Sequence, residues 1–313
     1  MNIVFMGTAD FSLKGLVALC ENHCNVVAVY TQAPKPSGRK QKIHKSAVHE
    51  FAESKGIAVF TPKSLKKAEQ IEIFASLKPD LAIVSSYGLI IPQNMLDIPK
   101  YGFVNIHASA LPRWRGAAPI QAAILAGDKQ TGITIMKMDA GVDTGDIIAM
   151  RYIDITSKTN HGQLAEDLGN LGAKMIIETL SDLYNLLANA KKQPNEGATY
   201  AQKISKESCK IDWNNSATDV LRHIMAFSPV PGAWSEVDGL RIKILDADVV
   251  SASSNFEISA TNIGEIFENK GEMFVMCCDG VLKIAKIQPA GKNAMNGSDF
   301  LRGRKNLVGK IFS

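Results

Sequence analysis

The chain predicts an α/β fold in two parts, a mostly parallel sheet flanked by helices and then a smaller β-barrel. Three observations predict it. Short apolar runs alternate with helical periodicity through the first half, the pattern of parallel strands joined by helical crossovers. A polar break, Lys191-Lys192-Gln193-Pro194-Asn195-Glu196-Gly197, ends that pattern. Beyond it the chain turns to short strands with two-residue hairpin signals. With 313 residues there is enough chain for two domains. The reading places one over 1–190, a linker over 191–204 and the second over 205–313.

The first strand is the apolar run Asn2 to Met6, closed by Gly7, and a helix follows from Ser12 to Cys20. Further strands are expected at Val26 to Tyr30, Ile57 to Phe60, Leu81 to Val84 and Phe103 to His107. A helix after residue 107 has Pro119 in its first turn and Gly127 at its C-terminal cap. Strands at Gly132 to Met138 and Ile147 to Ile155 read as a late antiparallel excursion. One helix is expected from His161 to Ala190 and another from Asp212 to Phe227. Asp238-Gly239 and Asp279-Gly280 mark two hairpins of a small barrel, of the oligonucleotide-binding (OB-like) type. The strand, turn and helix at the start make the first domain Rossmann-like. Its turn, Gly7-Thr8-Ala9-Asp10-Phe11-Ser12, lacks the G-x-G-x-x-G spacing of a dinucleotide site, so NAD is not expected.

Composition narrows the class. Hydrophobic residues make up 46% and charged residues 21%, the balance of a soluble globular protein. No apolar run reaches the ~18 residues of a membrane span, and the first residues lack a charged leader. The five cysteines include no C-x-x-C pair and fit reduced thiols in the cytoplasm. His23, His44, His49, His161 and His223 have no metal-ligand spacing, so no metal is expected. Net charge is only +4, but it is unevenly spread: residues 34–49 hold five Lys or Arg and no acid. Such a loop is a solvated surface or a contact for a polyanion, and Arg39 can bind phosphate through two hydrogen bonds. Residues 281–313 hold seven basic and one acidic side chain, a second candidate nucleic-acid face.

The chemistry concentrates in residues 102–121. Along a strand, side chains two apart share a face, so Asn105 and His107 point the same way. Open α/β sheets bind ligands at the carboxyl ends of their strands, and this pair stands there. Buried, both need partners, so they form either a site or a hydrogen-bonded core pair. Residues 138–146, Met-Asp-Ala-Gly-Val-Asp-Thr-Gly-Asp, supply carboxylates on a turn-rich stretch. Glycines 141 and 145 free the backbone to carry Asp143 into a cleft, with Asp139 and Asp146 as competitors. Trp114, between two arginines, reads as a packing residue that could also stack on substrate.

Asn105-Ile106-His107, Ser109 to Gln121 and Val142-Asp143-Thr144-Gly145-Asp146 resemble the formyltransferases that use 10-formyltetrahydrofolate. Within them the chain resembles the methionyl-tRNA formyltransferases over nearly its whole length. Thr31-Gln32, Gly38-Arg39, Ser86 to Pro92, Ile211-Asp212-Trp213 and Gln288 to Lys292 carry that likeness. The resemblance implies a catalytic trio of Asn105, His107 and Asp143. It also implies a folate site lined by Ser109, Ala110, Leu111 and Pro112, and tRNA contacts at Arg39, Lys40 and Lys42. The expected activity passes the formyl group of 10-formyltetrahydrofolate to the α-amine of initiator methionyl-tRNA, with the protein acting as a cytoplasmic monomer. Two departures from the family pattern are visible. Ala110 stands where a leucine is usual, and Lys45-Ser46-Ala47-Val48 replaces Pro-Ser-Pro-Val. A small-amine formyltransferase (amino sugar or ribonucleotide), a formyl-donor hydrolase and a non-enzymatic RNA binder are the alternatives.

Overall fold

A computed structural model of the chain describes residues 1–37, 42–250 and 259–313. They form two compact units. The first comprises Met1–Pro119, Gln130–Asp154 and Ala165–Gln202; the second comprises Ile120–Lys129, Ile155–Leu164 and Lys203–Ser313. The units are interleaved in sequence, and the stretch read as a linker belongs to the first unit as far as Gln202.

In chain order the elements up to residue 201 begin with β1 (Asn2–Gly7), α1 (Asp10–Glu21), β2 (Asn25–Tyr30), β3 (Lys35–Ser37) and β4 (Lys42–His44). Next come α2 (Ala47–Ser54), β5 (Ala58–Phe60), α3 (Ala68–Ser76), β6 (Leu81–Ser85) and α4 (Gln93–Leu96). Then follow β7 (Phe103–His107), β8 (Arg115–Gly116), α5 (Pro119–Leu125), β9 (Gln130–Lys137) and β10 (Ile147–Asp154). The series ends with α6 (His161–Ser181), α7 (Leu183–Ala188) and β11 (Tyr200–Ala201). Seven strands make one sheet in the order β10-β9-β7-β6-β1-β2-β5. The pairs β1–β2, β1–β6, β2–β5 and β6–β7 are parallel. The excursion is antiparallel as expected, with β9 antiparallel to both β7 and β10. The chain leaves β1 toward β2 and β5 and returns to β6, so the winding reverses between β1 and β6, where such sheets open a crevice.

Every residue of β6 and β7 is buried, as both faces of a central parallel strand should be. On one side Val4, Met6, Tyr30, Phe74, Val84, Tyr87, Met95 and Phe103 form a continuous apolar cluster, joined by Leu89 and Met138. Tyr87, Leu89 and Ile91 tie the 86–92 loop to that cluster, and Met138 ties the start of the loop that carries Asp143 to it.

The helix expected over His161 to Ala190 is two helices, broken at Asp182, whose φ is −136°. Asn185 donates to the Asp182 carboxylate at 2.7 Å, a local bond that competes with continuing the helix.

In the second unit the helix read from Asp212 begins later, as α8 (Ala217–Phe227). Asp212 instead accepts from the backbone and side chain of Asn214, forming a turn. Ser216 caps the helix by accepting from Asp219 N at 3.0 Å. The strands are β12 (Ala233–Val237), β13 (Leu240–Val249), β14 (Ile266–Asn269), β15 (Glu272–Met276), β16 (Val281–Pro289) and β17 (Met295–Asn296), followed by α9 (Gly297–Arg302). They form an antiparallel sheet in the order β12-β13-β16-β15-β14, with β17 on β16. Asp238 and Gly239 both take positive φ (48° and 72°), the signature of a tight two-residue hairpin. At Asp279-Gly280 the loop is longer, 277–280, closed by Cys277 N donating to Gly280 O at 2.8 Å, and Asp279 Oδ1 accepts from Ala217 N at 2.8 Å. The chain end joins the sheet's two edges. Phe312 N donates to Gly264 O, and Ser313 N to Glu236 O, each at 2.9 Å. This makes the second unit barrel-like.

Candidate active site

Asn105 and His107 lie on β7, with 7% and 5% of their surface exposed. They share one face, and Asp143 reaches them from the loop between β9 and β10. Asn105 Nδ2 donates to Asp143 Oδ1 at 3.2 Å. His107 Nδ1 stands 3.6 Å from Asp143 Oδ2, an ion-pair distance longer than a hydrogen bond. His107 Nε2 lies 3.0 Å from the carbonyl of Trp114. A carbonyl only accepts, so Nε2 carries a proton. Nδ1 faces the Asp143 carboxylate. The cluster thus holds an amide donor, an imidazole and a carboxylate within a few ångströms, shielded from bulk water.

The competing carboxylates separate by what they touch. Asp139 is exposed, and its Oδ1 accepts from Gly141 N at 3.0 Å and Thr144 Oγ1 at 2.7 Å, so it shapes its own loop. Asp143 adopts φ +53°, a region that Asp tolerates better than most residues. Its side chain is 16% exposed, and Oδ2 also accepts from Gly116 N at 2.8 Å. Gly145 lets the returning chain pass close to the carbonyl of Lys137.

Residues 109–116 wrap the imidazole. Ser109 is fully buried, and its hydroxyl donates to Arg113 O at 2.6 Å. Leu111 is also buried, and its N–H donates to Thr134 Oγ1 at 3.1 Å. Ser109 and Leu111 therefore hold the turn, while Ala110 and Pro112 are the half-exposed members of the quartet expected to line a folate site. Trp114 takes φ +61°, which aims its carbonyl at His107, while its ring stacks under the Arg113 guanidinium at 4.3 Å. Trp114 N donates to Thr199 Oγ1 at 2.9 Å, and β8 pairs in parallel with β11. Gly116 has φ +109°, and a Cβ there would stand 2.7 Å from Ala201 O. Gly116→Ala is expected to lower stability by about 1–3 kcal/mol, because both the dihedral and the contact oppose it. Denaturant unfolding checks this; an unchanged midpoint would mean that β8 shifts at no cost.

Contacts that residue type and local spacing do not reveal complete the site. Thr199 and Gln193 act through long-range bonds, and Trp114 acts through its backbone. Their side-chain types carry no such signal. Thr8, Thr31 and Gln32 bind the loops at the ends of β1, β2 and β6 together. Gln32 N donates to Thr8 Oγ1 at 3.2 Å, and Gln32 Nε2 donates to Tyr87 O at 3.2 Å. Val142, beside Asp143, and Ile90, in the 86–92 loop, are 63% and 74% exposed. Arg39 and Lys40 lie outside the described residues. Lys42 is the first residue of β4, paired with Ser37 of β3.

Among the described residues no helix is long and apolar enough to cross a membrane. Residues 1–180 match the family described as formyl transferase, and residues 203–305 match its C-terminal domain. A methionyl-tRNA formyltransferase of Jannaschia sp. is 43% identical over 311 residues, 99% of each chain. One of Paramagnetospirillum magneticum is 46% identical over 312 residues, again 99% of each. The fold is shared with an N-formyltransferase of Helicobacter canadensis solved with folinic acid and dTDP-3-aminofucose. That structure has a TM-score of 0.63 at 19% identity, covering 90% of this chain and 97% of the other. Matched in both its parts and along nearly all its length, this chain belongs to the formyl transferase family.

Proposed function

We propose that this chain transfers the formyl group of 10-formyltetrahydrofolate to the α-amino group of initiator methionyl-tRNA, working as a monomer in the cytoplasm. The observation that carries the reading is the meeting of Asn105, His107 and Asp143 across 38 positions of sequence. The likeness to methionyl-tRNA formyltransferases over 99% of the chain supports the choice of acceptor. A basic segment at 34–49, five Lys or Arg and no acid, and a second, barrel-like unit suit a large polyanion better than a small amine.

The chemistry follows from the groups present. The attacking nitrogen forms a bond to the formyl carbon, and the carbonyl oxygen gains negative charge. One Asn105 N–H is engaged by Asp143; its second can meet that oxygen, and the His107 ring lies on the same face. As the tetrahedral species collapses, the bond from carbon to N10 of the folate breaks. The amine has lost one proton and N10 has gained one, so net proton transfer is zero. His107 and Asp143 carry the proton between them, accepting it from the amine and returning it to N10. An α-amine with a pKa near ~8 is partly protonated at neutral pH and gains from a nearby carboxylate that can take its proton. Ala110 and Pro112, with the exposed apolar Val142 and Ile90, would border the donor's ring, which stays a substrate and leaves deformylated.

Incubating the protein with the formyl donor and charged initiator tRNA tests the reading. Formylmethionyl-tRNA is the expected product. Formate released without tRNA would indicate hydrolysis, a formylated amino sugar or nucleotide would indicate a small acceptor, and no turnover would indicate a binding protein. Arg39→Ala is expected to lower kcat/KM for charged tRNA about tenfold or more and to reduce the salt slope of binding by about one. An unchanged kcat/KM would remove Arg39 from the tRNA contacts, and Lys40 and Lys42 would be tested next in the same way.

A further inference from the structure

We propose that Gln193 is a positioning residue for Asp143. The inference rests on the formyl-transfer reading of the site and adds to it a residue that lies 50 positions downstream of the carboxylate it serves.

From Lys191 to Gly197 every residue is exposed except Gln193, which is half-buried. Its amide is used at both ends. Nε2 donates to Asp143 O at 2.9 Å and to Gly145 O at 2.7 Å. Oε1 accepts from Arg115 Nε at 3.0 Å and Nη2 at 2.8 Å. Arg115 is only 5% exposed, and the next residue, Gly116, supplies the N–H that Asp143 Oδ2 accepts. One side chain therefore ties the turn that bears the carboxylate to the segment that holds it. The same strap continues through Thr199, whose Oγ1 accepts from Trp114 N and whose carbonyl accepts from Arg115 N at 2.9 Å. Trp114 in turn presents its carbonyl to His107.

The amide is suited to this place for two reasons. Two carbonyls need an N–H donor, and the Arg115 fork needs an acceptor; glutamine offers both on one planar group. Asp143 also holds a left-handed φ, a conformation that persists only where the surroundings over-determine it. The bonds from Gln193 to residues 143 and 145 supply that constraint. Without them the turn relaxes, and the carboxylate draws back from an imidazole already 3.6 Å away. A misplacement near 1 Å in a reacting group can cost roughly 100-fold in rate.

The test compares the full-length wild type with Gln193→Met and Gln193→Glu. Methionine matches the length but makes no polar link. Glutamate keeps the bond to Arg115 and turns an oxygen toward two carbonyl oxygens. Both variants are expected to lower kcat about 10–100-fold with KM for methionyl-tRNA and for the formyl donor within about threefold of wild type. Glutamate is expected to be the slower, because it adds repulsion to the lost donor. Amide exchange in the peptide spanning 138–146 is expected to quicken in both, a readout independent of the reaction. Should Gln193→Met fail to fold, Gln193→Asn, one methylene too short to span both partners, gives the same reading. A kcat within about twofold of wild type in both variants, or a loss confined to KM, overturns the proposal. So does unchanged exchange in 138–146. An inactive wild type with exchange that still quickens would count against the formyl-transfer reading and leave the clamp standing.

Discussion

His107→Ala is expected to lower the single-turnover rate of formyl transfer by at least about 100–1,000-fold, the usual cost of removing one group that stabilises a developing oxyanion. In the proposed reaction the ring stands beside the reacting carbonyl and forms one half of the proton path. The effect falls on kcat, since the ring lies 5% exposed on β7 and has little surface with which to bind tRNA. Folding survives, at a cost of about 1–3 kcal/mol for removing the ring donor from the part-buried Trp114 carbonyl. Circular dichroism and binding of charged tRNA are expected to stay close to wild type. Rates within about tenfold of wild type would remove His107 from the chemistry.

Asp143→Asn is expected to lower kcat further, by about 1,000–10,000-fold, although the side chain keeps its shape. The carboxylate accepts from Asn105 Nδ2 and Gly116 N and faces His107 Nδ1. An asparagine amide has one oxygen, so it can keep only one of the first two partners, and its NH2 repels the other. If that NH2 turns toward Nδ1, the imidazole must accept there. The variant thus removes the carboxylate's charge with one atom change, and the proton relay with it. Steady-state kinetics with both substrates saturating reads this directly. A kcat loss below about tenfold would mean that Asp143 only shapes its loop.

The parts of the site legible in the sequence are those written in side-chain type and local spacing. Asn105 and His107 sit two apart on a strand, and the glycines at 141 and 145 announce a loop able to carry Asp143 inward. Hairpin chemistry was readable at Asp238-Gly239 but not at Lys270-Gly271, where lysine holds φ +51° in a place that turn preferences do not flag. The break at Asp182 hid inside an apolar helical pattern that runs on through it. Gln193 was read as part of a linker, because its neighbours are polar and its partners lie 48 to 78 residues away. Nothing local to a glutamine reveals a pairing at that range. Trp114 and Gly116 contribute through a carbonyl and an N–H, groups that every sequence carries at nearly every position. Ser109 and Leu111 also hold the turn, through a hydroxyl and a backbone N–H whose partners no local pattern announces.

The claim at the centre is that the imidazole and the carboxylate act as one unit. A double-mutant cycle of His107→Ala, Asp143→Asn and the pair, read by single-turnover formyl transfer to charged initiator tRNA, measures it directly. The double variant is expected to be no more than about tenfold slower than the slower single variant, because removing either member already disables the unit. Losses that multiply, giving a double variant slower by roughly the product of the two single effects, would show two independent groups and contradict the account.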